Sequence, residues 1–92
     1  MAGKVQFEKN GPIAIGRLED GGIFVVDSDA VDMISGRPFH LCYQANLPYI
    51  IDDNGRRLES YLMNCPDGCA VSHISNDTLD NRRDNLQVLR RP

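Results

Sequence analysis

Through the first third of the chain, apolar residues come in short runs broken by turn-forming residues. "KVQFE" (4 to 8), "PIAIGR" (12 to 17) and "GIFVVD" (22 to 27) each read as a short strand, since β-branched and aromatic residues suit a half-buried pleated surface. Asn10-Gly11 and Asp20-Gly21-Gly22 separate them and suit tight reversals, which predicts an antiparallel β-meander. "SDAVDMIS" (28 to 35) reads as a short helix. Asp27 or Ser28 is the expected cap, Val31 and Ile34 share a face, and Gly36 with Pro38 stops it. "FHLCYQ" (39 to 44) and "LPYII" (47 to 51) predict a second strand pair, closed by a turn at Asp52-Asp53-Asn54-Gly55. In "RRLESYLMN" (56 to 64), Leu58, Tyr61 and Leu62 fall at helical spacing. The loop "CPDGC" and a strand around Ala70 to Ile74 follow, and the mix is α+β.

Length holds the picture to one small domain over residues 1–92, because 92 residues build a single core. Within it, residues 1–64 form the β-rich part and 65–92 the segment that carries the candidate chemistry. An apolar share of 41% with 25% charged residues is ordinary for a folded protein. No run approaches the ~20 apolar residues that span a bilayer, and the start has no signal-peptide pattern, so a cytoplasmic protein without a membrane partner is expected. Cys42, Cys65 and Cys69 are an odd set, which points to reduced thiols; a zinc site drawing Cys65 and Cys69 together with Cys42, His40 or His73 is the weaker reading.

Charge is unevenly placed. Residues 1 to 81 hold six Lys or Arg against twelve Asp or Glu, whereas residues 82 to 92 hold four arginines against Asp84. An acidic body opposes non-specific phosphate attraction, so any nucleic-acid contact is expected at Arg82, Arg83, Arg90 and Arg91. Asp27, Asp29 and Asp32 read as acids at a helix start, which the macrodipole favours.

The candidate chemistry lies in "AVSHISNDTLDNRRDNLQVLRRP" (70 to 92). A divalent ion that stabilises a scissile phosphate, paired with a histidine that deprotonates water, can cut a phosphodiester. His73, at a strand end before a long loop, suits the base. Asn81 and Asn85 suit the braces of that loop, since an amide both donates to and accepts from backbone. Strands near 70 to 74 and 86 to 90 are expected to pair antiparallel around it.

"MNCPDGCAVSHISNDTLDNRRDNLQVL" resembles the HNH endonuclease motif of phage and intron homing nucleases, with "LDNRRDNL" as its most specific part. "VVDSDAVDMISGRPFHL" and "PYIIDDNGRRLESYLMN" resemble the small β-rich region that precedes the motif, so the likeness runs over roughly residues 23 to 90. It implies a ββα-metal unit with His73 as general base and Mg2+ or Mn2+ as cofactor. The sequence departs from the pattern at three places. Ser72 stands where the family has a ligating Asp or His, Glu59-Ser60-Tyr61-Leu62 stands where a Leu-His-Arg-Leu helix is usual, and the chain ends at Pro92, before the final helix that completes the metal site. The ββα-metal unit is therefore expected to be incomplete, without metal or other cofactor. Function is expected to lie in binding a macromolecule, for example a protein of a nuclease or CRISPR-type defence complex, by a protein of phage or mobile-element type located in the host cytoplasm. Asp52, Asp53 and Glu59 are the expected exposed contacts to that basic partner. Two alternatives stand beside it: an active nicking enzyme that recruits Asp77, Asp80 or Asp84 as ligand, and a DNA-binding module that uses the arginine tail.

Overall fold

The computed structural model describes residues 5–64 and 69–90. Strands β1 (Gln6–Asn10), β2 (Ile13–Arg17) and β3 (Ile23–Asp27) form an antiparallel meander in the order β1-β2-β3. Alternation places Ala14, Phe24 and Val26 in the core while Ile23 stays exposed. Phe24 lies opposite Gly16 across the β2–β3 ladder, and its ring occupies the space where a Cβ on Gly16 would stand.

A 3-10 turn over Ser28–Ala30 leads into α1 (Val31–Ile34), whose Val31 and Ile34 are buried. Neither expected cap is made by a side chain. Ser28 Oγ instead sits 2.7 Å from the carbonyl oxygens of Gly11 and Ile13, and Asp27 Oδ2 accepts from the Arg83 amide at 2.8 Å. Long-range partners outcompete the helix end because this helix has a single turn and few amides to offer.

β4 (Phe39–Gln44) and β5 (Leu47–Asp52) form a hairpin closed by Ala45-Asn46, both at positive φ (52° and 68°), as a two-residue reversal requires. After the turn at residues 52–55 comes α2 (Leu58–Leu62). β6 (Cys69–His73) then pairs antiparallel with β7 (Leu86–Arg90) around residues 74–85, as expected, with His73 opposite Leu86. The mixed α+β character holds, and among the described residues one hydrophobic cluster gathers Phe24, Ile34, Phe39, Ile50, Leu58 and Leu86. Val71 and Leu79, from the closing part of the chain, pack against the same cluster. Among the described residues, no helix is long and apolar enough to cross a membrane.

Candidate functional site

β6 ends with Val71 and His73 on one face, and the chain then departs into the loop 74–85. That loop is built from short polar side chains that bond their own backbone. Asp77 receives the Leu79 amide at 3.1 Å, Ser75 Oγ receives the Asp77 amide at 3.2 Å, and Asn76 takes a left-handed φ of 67°. Asn85 closes it from the far end: its Oδ1 accepts from the Ser75 amide at 2.9 Å and its Nδ2 donates to the Asp80 carbonyl at 2.9 Å.

Asn81 does something different from bracing backbone. Its side chain is fully buried, and its Oδ1 meets His73 Nε2 at 2.7 Å. An amide oxygen only accepts, so Nε2 carries a proton. His73 is itself buried, with 8% exposure, and its ring lies 6.3 Å from that of Tyr49.

Glu59 completes the cluster from α2. It shares the helix face of Leu58 and Leu62, is 1% exposed, and has an oxygen 3.9 Å from His73 Nε2. Both of its carboxyl oxygens and Asn81 Nδ2 are buried without a hydrogen-bond partner among the described residues. Burial pushes the Glu59 carboxyl up from its ordinary value and outweighs the opposing pull of nearby His73 and Arg57. The sequence reading offered Glu59 as an exposed contact, and the structure corrects this: the helical face named by Leu58 and Leu62 also contains Glu59, three positions before Leu62. That i, i+3 spacing was the available signal.

Asp52 needs the same correction. It is 6% exposed and accepts from the Asn54 and Arg56 amides at 2.9 and 2.8 Å and from the Tyr61 hydroxyl. Burial pushes this carboxyl up, but the bonds from Tyr61, Arg56 and Asn54 together leave it below its ordinary value. Asp53 is exposed.

Of the candidate nucleic-acid arginines, Arg82 forms a two-point pair with Asp80 at 2.8 Å, and Arg83 is held by Asp27 and Asp29. The Asp27 and Asp29 carboxylates thus anchor Arg83, while Asp29 and Asp32 also stand in the first turns of the two short helical segments, as expected. Arg91 and Cys65 lie outside the described residues, as do the side chains of Arg90 and Cys69.

A cavity of about 400 Å3 opens at His73, walled by Leu47, Tyr49, Val71, Ser72, Asn76 and Thr78. Among the described residues its walls offer hydroxyls and an amide but no carboxylate, and the Thr78 hydroxyl is already committed to the Pro48 carbonyl. This donor set does not fit a hard divalent cation, which takes charged oxygens. Of the alternative ligands, Asp80 is paired with Arg82 and Asp77 is turned onto its own loop.

Searches of the curated proteins and of the solved structures gave no match. The resemblance drawn from the sequence begins near residue 23, whereas the family match is confined to the closing part. Residues 61–91, which carry β6, the braced loop and β7, match the family model described as HNH endonuclease.

Proposed function

We propose that this chain is an HNH-type unit that binds a macromolecule without hydrolysing it. The observation that carries this reading is the Glu59–His73–Asn81 cluster. A general base must exchange its proton with water beside a phosphate. Here the imidazole is almost wholly buried, one nitrogen is held by an amide, and a buried carboxyl takes the place beside it. Ser72 supplies a neutral hydroxyl next to that histidine, so among the described residues His73 has no charged oxygen adjacent to it on the cavity side. The cluster reads as a polar packing element retained from a hydrolytic ancestor.

One observation favours the second reading. With Nε2 donating to Asn81, the neutral ring would have Nδ1 as its acceptor, as a base requires. Incubating supercoiled plasmid and a labelled oligonucleotide with the protein in Mg2+ or Mn2+ decides between them. Intact substrate is expected, and metal-dependent nicking that disappears in His73→Ala would establish the nicking enzyme instead. The acidic balance of the body and the exposed Asp53 support a basic protein partner as a competing target.

A further inference from the structure

Six arginines have described side chains, and they divide evenly. Arg17 pairs with Glu8, Arg82 with Asp80, and Arg83 with Asp27 and Asp29. Arg37, Arg56 and Arg57 have no ion pair among the described residues, and all three stack on tyrosines. The Arg37 and Arg56 guanidiniums lie 4.9 and 4.6 Å from the centre of the Tyr61 ring, and that of Arg57 lies 3.9 Å from the centre of Tyr49. Arg57 also donates to Gln44 Oε1, which fixes it on the β4–β5 hairpin. Tyr49 in turn is a wall of the His73 cavity, so the strip runs up to the edge of the HNH-type segment.

We propose that this arginine–tyrosine strip is a nucleic-acid-binding surface, with the Arg37, Arg56 and Arg57 guanidiniums taking the phosphodiester backbone. Each guanidinium spends one in-plane donor on the fold, Arg37 Nε on the Met33 carbonyl, Arg56 Nη2 on the Ser60 carbonyl and Arg57 Nη2 on Gln44, and stacking on the ring face leaves the remaining N–H donors oriented for a phosphate. The neighbouring carboxylate, Asp52, is buried and committed to Tyr61 and two backbone amides, so it does not cap the strip. Tyr43, 68% exposed at the tip of the same hairpin, adds an aromatic face on which a base can stack, beside the exposed Leu47. In a body of net negative charge, three cations free of ion pairs gathered beside exposed aromatic surface favour a polyanion with stackable bases over an acidic protein. The inference rests on the binding reading above, and it moves the nucleic-acid surface from the arginine tail to the face around α2.

Fluorescence anisotropy of a labelled single-stranded oligonucleotide, in chelator and across a salt series, tests it. The parent is expected to bind with a log–log salt slope of about 2, as about three phosphate contacts give on single strands. Arg56→Gln with Arg57→Gln should weaken binding about tenfold or more and lower the slope by about 1, whereas Arg82→Gln with Arg83→Gln should stay within about twofold. Arg57→Lys, which keeps the charge but loses the planar stack, should keep the slope and weaken affinity. Thermal melts of each variant separate lost contacts from lost fold. Absence of binding at low salt, equal binding by the Arg56/Arg57 variant, loss confined to the Arg82/Arg83 variant, or stronger binding to heparin than to the oligonucleotide would each overturn the proposal. Repeating the titration in Mg2+ keeps the two readings apart: strip-dependent binding followed by cleavage leaves the strip standing and removes the non-hydrolytic function.

Discussion

Glu59 is the residue whose burial most needs explaining, because a carboxyl with neither oxygen hydrogen-bonded is destabilising when charged. Burial raises its folded-state value above the ordinary 4.5, so the folded protein holds this proton more tightly than the unfolded chain. Its contribution to stability is therefore fullest below the ordinary value and is lost as pH climbs through the raised one. Glu59→Gln, which keeps the shape and removes the charge, should raise stability at pH 8 by about 1–2 kcal/mol and flatten the alkaline side of the profile. Chemical denaturation at pH 5 and pH 8 checks this, and a variant weaker than the parent at both would show that the carboxylate makes a favourable bond to His73. Asp52 and Asp80 act with the opposite sign. Their values lie below the ordinary 3.8, so the stability they contribute is present above it and is lost under acid. Asn85 has a plainer role: it ties the Ser75 amide to the Asp80 carbonyl, and Asn85→Ala should cost about 1–3 kcal/mol by stranding both. Of this cluster, His73, Asn81 and Asn85 were legible because a motif spaces them along one loop. The meeting of Glu59 with them was not, because it depends on how α2 packs on β6.

At the scale of elements, the strands and turns were legible because each carries its own local chemistry. Asn10-Gly11, Asp52 to Gly55 and the apolar runs between them hold to within two residues. The caps of α1 were not legible, since Asp27 and Ser28 bond segments distant in sequence. Two ladder positions give direct tests. Gly16 stands under the Phe24 ring, where an added Cβ would lie 2.3 Å from a ring carbon, so Gly16→Ala must displace a core side chain and should cost about 1–3 kcal/mol. Ala45 holds a left-handed φ of 52° without the side-chain hydrogen bonding that eases this conformation in asparagine. Ala45→Asn, which suits the first position of such a reversal, should stabilise by about 0.5–1 kcal/mol in denaturant titration. An unchanged midpoint for either variant would mean that the β2–β3 or β4–β5 ladder is looser than described.

For the molecule as a whole, the HNH-type segment is joined to the remainder by more than chain continuity. Its loop lies along β3, with the Val25 amide donating to the Leu79 carbonyl at 2.9 Å and the Asn81 amide to the Val25 carbonyl at 2.7 Å. Arg83 docks on Asp27 and Asp29, and Thr78 bonds the Pro48 carbonyl, so one loop is fastened to both the meander and the β4–β5 hairpin. Leu86 shares its core with Phe24 and Leu58. A two-stranded hairpin and one short helix bury too little apolar surface to offset their ordering entropy, and isolated hairpins are marginal in water. A fragment of residues 58–92 should therefore show no cooperative unfolding transition by circular dichroism and only narrow amide dispersion by NMR. The full chain should melt once, with far-ultraviolet and tyrosine signals coincident. Thr78→Val should lower that single transition by about 1 kcal/mol, because the Pro48 carbonyl loses its donor at the junction. If the fragment folds alone, or if the full chain melts in two steps with Thr78→Val moving only one of them, the HNH-type segment is an independent unit and the shared core does not govern folding.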